Sequence, residues 1–183
     1  MNPTPRGDPP SRRVTAPPLP RLAGAVFDWA TYLIIPALLL PLGLLLTQRG
    51  VMPSSLAVNA IGLALVIAPA TVWAAWREAR PRGATPGKRL LRLQVVDERT
   101  RAMPSARQAL TRNLIKIAVP WELGHTVALG YASAAGSDVP VWLWALTVIT
   151  YGWVLANLLL LFLPSGKPAH DRLAGTIVVR TTS

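Results

Sequence analysis

Cysteine is missing from the sequence altogether, so it can carry no disulfide framework, thiolate zinc site, iron–sulfur cluster or palmitoyl anchor. Histidine is nearly missing too: His125 and His170 are the only two. His170-Asp171 therefore lacks the further His and Asp ligands of a metal phosphohydrolase, and no metal site is assigned. Acidic charge is scarce, with 8 Asp+Glu against 19 Lys+Arg and a net charge of +11. The 183 residues suit one domain, and 51% hydrophobic content is only a little above a soluble average. The distribution decides the class, because charge is absent from several long stretches, which marks a membrane protein.

Residues 1–20 hold seven prolines, from Pro3 to Pro20, and almost nothing large and apolar, so they read as a disordered cytosolic tail. They do not read as a signal peptide, because the apolar stretch that follows is long enough to span a bilayer. That stretch, 23–47, has Asp28 as its only charge and reaches roughly 37 Å as a helix, kinked at Pro36 and Pro41. Residues 55–76 and 139–163 are further uncharged runs. A fourth run, 117–135, contains Glu122, His125 and Pro120, at a cost of about 2.5–3.5 kcal/mol for an ionised residue at a helix centre. Charge asymmetry decides for it. Basic residues precede the first run, fill 77–112 and follow the last run, whereas the short outer loops hold only Arg49. Four spans place every basic segment on one side, with both termini cytosolic. The expected fold is an all-α four-transmembrane-helix bundle with a small cytosolic β-element, in a membrane domain over 21–181. That element would pair the alternating Leu91-Leu93-Val95 run with Thr176-Ile177-Val178-Val179.

Arg21 at the mouth of the first span, Asp28 within it, Thr85-Pro86-Gly87-Lys88 in the loop, Arg112, and His170-Asp171 near the end resemble the RDD family of multi-pass membrane proteins. The family takes its name from one arginine and two aspartates, which by position fall on Arg21, Asp28 and Asp171. The resemblance covers residues 21 to about 181 and implies the fold more than the function: transport for some members, an assembly or scaffold role for others. The expected location is a bacterial cytoplasmic membrane, and the Arg, Ala and Pro richness suggests a high-GC bacterium.

Asp28 returns to within about 20° of the Arg21 face, roughly 10 Å deeper. An ionisable residue at that depth needs a partner or a function. It is expected either to lock the bundle through Arg112, Lys116 or Arg172, or to carry a proton or ion. Glu122 and His125 share a helix face and lie at a depth matching Asp28, so the three are expected to form an intramembrane acidic site; the bland alternative is a hydrogen-bonded packing residue. A di-iron site would need a second Glu-x-x-His motif. Asp171 is expected to accept from Arg89, Arg92 or Arg112. Gly87-Lys88 is no phosphate loop, since Arg82 and Arg89 stand where its first glycine and its Ser/Thr belong. No catalytic set and no cofactor is assigned, so the chain is not expected to be an enzyme. Its basic excess lacks the aromatic interleaving of a nucleic-acid binder and suits anionic lipid headgroups. Ala60, Ala64 and Ala68 form a small-residue stripe open to packing within the bundle or in a homo-oligomer. Two functions remain: transport of protons, monovalent cations or a small solute through the acidic site, or a scaffold for another membrane protein.

Overall fold

The computed structural model describes residues 14–51, 54–81 and 83–181, the Thr47 side chain excepted. The expected disorder of residues 1–13 lies outside them. Residues 14–20, expected in the same tail, are ordered instead. Ala16 N–H donates to the Val178 carbonyl at 2.9 Å and Thr15 bridges Val179, so the chain enters as a short edge strand. Helix α1 (Pro18–Tyr32) follows at once. Proline serves well there, because the first helical turn has no partner for its N–H.

Helix α2 (Ile34–Gln48) continues α1 after an interruption at Leu33. Pro36 has no N–H for the Tyr32 carbonyl four residues back, which accounts for the break. Pro41 sits inside α2 without ending it, so one of the two expected kinks is a break and the other is absorbed. The second long helix is α3 (Ser55–Gly62), a π-helical turn at Leu63–Ile67, and α4 (Ala68–Glu78), capped where Ser54 Oγ accepts from Ala57 N–H at 3.2 Å. The third is α6 (Ala106–Asn113), a π turn at Leu114–Ala118, and α7 (Val119–Ser133), opened by a Ser105/Gln108 capping box. Both π turns immediately precede a proline near the start of the next segment, Pro69 or Pro120, and the wider turn accommodates the bond that proline cannot make. The two π turns pack against each other. Helix α8 (Val141–Phe162) returns the chain.

Between the long helices lie α5 (Pro86–Leu90) and β1 (Leu93–Asp97); α9 (Ala169–Ala174) and β2 (Thr176–Arg180) close the described chain. The strands pair antiparallel, Leu93 opposite Arg180 and Asp97 opposite Thr176, as the two β-rich runs lead one to expect. Leu93, Val95 and Val178 bury one face against Ala16, while Val96, Ile177 and Val179 bury the other.

Among the described residues three helical stretches are long and apolar enough to cross a membrane: Pro18–Leu46, Ser55–Glu78 and Val141–Phe162. The run at 117–135 falls mainly on α7, which is helical and packs against α3 and α8. The core joining the first three long helices is Tyr32, Val66, Ile67, Ala74 and Ile117, with Trp29 and Trp121 against it. Ala60, Ala64 and Ala68 are all exposed, so the stripe plays no part in packing within the chain. Close approach uses glycine instead, with Gly62 against the Trp121 and His125 rings and Gly130 against Leu143.

Candidate functional site

At one end of the bundle seven charged side chains from six segments form a continuous buried network. Asp28 on α1 accepts from Thr85 Oγ1 at 2.7 Å, from Gly87 N–H at 2.9 Å and from Lys88 Nζ at 3.2 Å. Lys88 also pairs with Glu78 at the end of α4, at 2.8 Å. Arg112 Nη1 donates to both Glu78 oxygens at 2.9 and 3.0 Å, and its Nε donates to Asp171 Oδ1 at 2.8 Å. Arg21 completes the line at Asp171 Oδ2, 2.5 Å away, and also donates to the Gly166 carbonyl. Thr176 Oγ1 and Asn113 Nδ2 satisfy further lone pairs on Asp171 and Glu78, at 3.1 and 2.8 Å. Lys116 stands apart, 3.7 Å from Asp28. Asp28, Glu78 and Asp171 are wholly buried or nearly so.

The loop motif acquires its meaning here. Thr85 is the residue before α5, yet its hydroxyl caps no N–H of that helix; it is given to Asp28, which in turn takes the Gly87 N–H. A Cβ at Gly87 would collide with the Gly24 carbonyl oxygen, so only glycine lets α5 settle on α1 closely enough for these bonds.

Outside the membrane helices, burial alone would raise the Asp171 pKa, but Arg112 foremost, with Arg21, holds it far below the usual carboxylate range. The same ion pairs outweigh burial at Arg112 and raise its pKa. His170 is half-buried. Burial, with the Arg112, Lys116 and Arg21 charges, outweighs its neighbour Asp171 and pushes it down to about 3. It is neutral at physiological pH.

Glu122 and His125 do share a face, and Asn59 on α3 joins them: its Nδ2 donates to Glu122 Oε2 at 3.0 Å and its Oδ1 accepts from His125 Nδ1 at 2.7 Å. Thr126 lies at the edge of the group, 3.4 Å from Asn59 Nδ2. Asp28 is not among their partners. The three residues expected in one site thus divide between two layers, Asp28 in the ion network and Glu122 with His125 in a separate polar cluster. Among the described residues Glu122 Oε1 finds no hydrogen-bond partner, and neither do the buried Trp121 Nε1, Tyr32 Oη and Thr71 Oγ1.

Of the cations expected near Asp28, Lys116 is present and Arg112 reaches it only through Glu78 and Lys88. Arg172 is occupied by the Lys167 carbonyl at 2.8 Å and Ser165 at 3.0 Å. Of those expected near Asp171, Arg112 is its partner, while Arg89 and Arg92 are exposed. Glu78 and Asn59 were not singled out from the sequence. Glu78 is the only acid between Asp28 and Asp97, set in a run of arginines, and that isolation was a usable signal. Asn59, in an otherwise apolar helix, was another. No group of three His, Asp or Glu among the described residues is arranged to hold a metal.

Long apolar helices tied at one end by a buried ion network, with a two-stranded sheet beside it, define a multi-pass helical membrane protein. The RDD family model matches residues 15–175, and the chain belongs to that family. Neither a curated protein nor a solved structure matches it.

Removing one member of a buried pair strands its partner. Glu78→Gln and Arg112→Gln are each expected to cost roughly 3 kcal/mol in unfolding of the detergent-solubilised protein, and the double variant to fall short of their sum by about 0.5–3 kcal/mol; strict additivity would show that the two do not act together. His170 supplies a pH dependence. The unfolded chain protonates it near pH 6.5 while the folded chain keeps it neutral down to about 3, so the unfolded state binds more protons between those values. Stability is expected to fall from pH 7 to pH 5 by up to about 2 kcal/mol, and His170→Asn to flatten that segment of the melting-temperature profile.

Proposed function

We propose that the chain is a four-span carrier of protons or monovalent cations, with the Asn59–Glu122–His125 cluster as its exchange site and the buried ion network as a structural clamp. In this reading both termini and the 77–112 loop face the cytosol of a bacterial cell, and α7 is the fourth span. The course of α6 and α7 supports that count. They run beside the second long helix from the Glu78–Arg112 pair at one end to a Ser55 Oγ–Ser133 Oγ bond of 2.6 Å at the other. The excess of arginine and lysine at the network end supports the orientation.

The observation that carries the transport reading is Glu122 Oε1, a buried carboxyl oxygen with no partner partway along a helix bundle. A buried polar atom without a protein partner calls for water, a proton or an ion. A cavity of about 410 Å³ lined by Ser55, Asn59, Thr126, Ser133 and Asp138 opens towards this cluster from the far end. Towards the network end, Trp121 and Tyr32, whose polar side-chain atoms also find no partner among the described residues, pack against Val66, Ile67 and Ile117 of the two π turns. Such turns interrupt the regular hydrogen-bond ladder and are frequent at functional sites. Asp28, expected as the carried site, has its lone pairs taken by Thr85, Gly87 and Lys88, which suits a clamp better than an exchanging acid.

The scaffold reading also has an observation behind it. Over their most apolar windows the first and last long helices are only 6% buried, leaving broad faces for a membrane-protein partner as well as for lipid.

Two measurements test these readings. Because the chain has no cysteine, single substitutions Val51→Cys, Thr100→Cys, Ser137→Cys and Thr181→Cys report topology cleanly; an impermeant thiol reagent is expected to label the first and third in intact cells, and labelling of Thr181→Cys would remove the four-span count. In proteoliposomes, wild type is expected to exchange protons against Na⁺, K⁺ or Li⁺ down an imposed gradient. Glu122→Gln should abolish exchange with little change in melting temperature, whereas Asp28→Asn should lower the melting temperature. A silent wild type across all three cations, together with a stoichiometric co-purifying membrane protein, would decide for the scaffold.

A further inference from the structure

The ion network holds one more cation than carboxylate: Arg21, Lys88, Arg112 and Lys116 against Asp28, Glu78 and Asp171. The surplus is not spread evenly. A cavity of about 500 Å³ between α1, the start of α7 and α8 is lined by all four cations, and no carboxylate is among the described residues lining it. Lys116 is the least satisfied of the four. Its side chain is 10% exposed and its one ionic partner among the described residues is Asp28, at 3.7 Å. An ammonium group has three protons to give, and burial without acceptors is costly.

The rest of the cavity is apolar. Leu22 and Val26 on α1 and Val154 and Leu158 on α8 line it and are exposed, so its mouth lies on the lipid-facing flanks of two membrane helices. Those helices do not pack closely against each other. A cationic floor beneath an apolar mouth complements a molecule with an anionic head and a hydrocarbon chain. The size falls within the range of ordinary ligand pockets, and basic pockets between membrane helices are a known way of holding lipid head groups.

We propose that this cavity binds one anionic phospholipid from the adjoining leaflet, its phosphate on Lys116 and the neighbouring cations and an acyl chain along Leu22, Val26, Val154 and Leu158. Water alone would satisfy the ammonium but would leave the apolar mouth unexplained. A free phosphate would do the same. The site is separate from the Glu122 cluster, so lipid binding and cation exchange stand or fall independently.

The test is native mass spectrometry of the full chain in detergent with phosphatidylglycerol, phosphatidylcholine or excess inorganic phosphate. Wild type is expected to retain one phosphatidylglycerol with at least about tenfold preference over phosphatidylcholine, and phosphate is expected not to displace it. Lys116→Gln should cut that occupancy about tenfold, the loss of one charge-assisted hydrogen bond. Ala25→Phe, which fills the cavity without touching an ion pair, should cut it as well while leaving the melting temperature nearly unchanged. If Lys116→Gln does not fold, Ala25→Phe decides alone. Equal retention of both lipids, displacement by phosphate, or wild-type occupancy in Ala25→Phe would each overturn the proposal.

Discussion

Everything at the charged end of the molecule depends on Arg112 reaching two carboxylates at once. Its guanidinium takes Glu78 through Nη1 and Asp171 through Nε, and so ties the end of α4 to the start of α9 across α6. A planar fork of fixed donors can do this; a lysine at the same place would offer a point charge to one side or the other. Lys88 plays the corresponding part between Glu78 and Asp28, where flexibility suits a loop residue that must reach two helices. Desolvating so many charges is tolerable only because nearly every lone pair is met. The arrangement therefore acts on specificity more than on net stability: a helix slipped by one residue would strand a carboxylate.

Much of this architecture can be read from the sequence where it rests on hydrophobic runs and periodicity. The three apolar stretches and the pairing of the Leu93 and Thr176 runs follow from patterns that local physics enforces, since lipid-facing helices and buried strands have few ways to satisfy their backbones. Partner choice is different. Glu78 and Arg112 are separated by a loop, a helix and a strand, and no spacing rule links them. The motifs in the chain point to Asp28, Arg112 and Asp171 but not to the acid that joins them. The equal depths of Asp28 and Glu122 along their helices suggested one site. The structure pairs each with its own neighbours in separate layers, because Lys116, from which the depth of Glu122 is counted, itself lies level with Asp28. The ordering of residues 14–20 was hidden for a similar reason: proline-rich composition signals little burial, but three residues of edge pairing to β2 and a proline-started helix need little.

The two π turns connect these observations. Each stands just ahead of a proline and each lies between the ion network and the Asn59–Glu122–His125 cluster. Proline removes a donor whatever the surroundings, so the wider turn is a local consequence of sequence. That the two meet face to face is a tertiary fact.

Charge sign along the bundle then bears on what could pass. The polar cluster carries an acid and the network beyond it carries an excess of cation. A hydrated metal cation leaving the cluster towards the network would meet a layer with one more buried cation than carboxylate, in a medium that screens charge poorly. A proton need not travel as an ion through that layer, since it can move along hydrogen bonds between hydroxyl and carboxyl groups such as Tyr32 and Glu122 and intervening water. On the proposed reading the network layer is therefore an easier crossing for the proton than for the metal cation it is exchanged against.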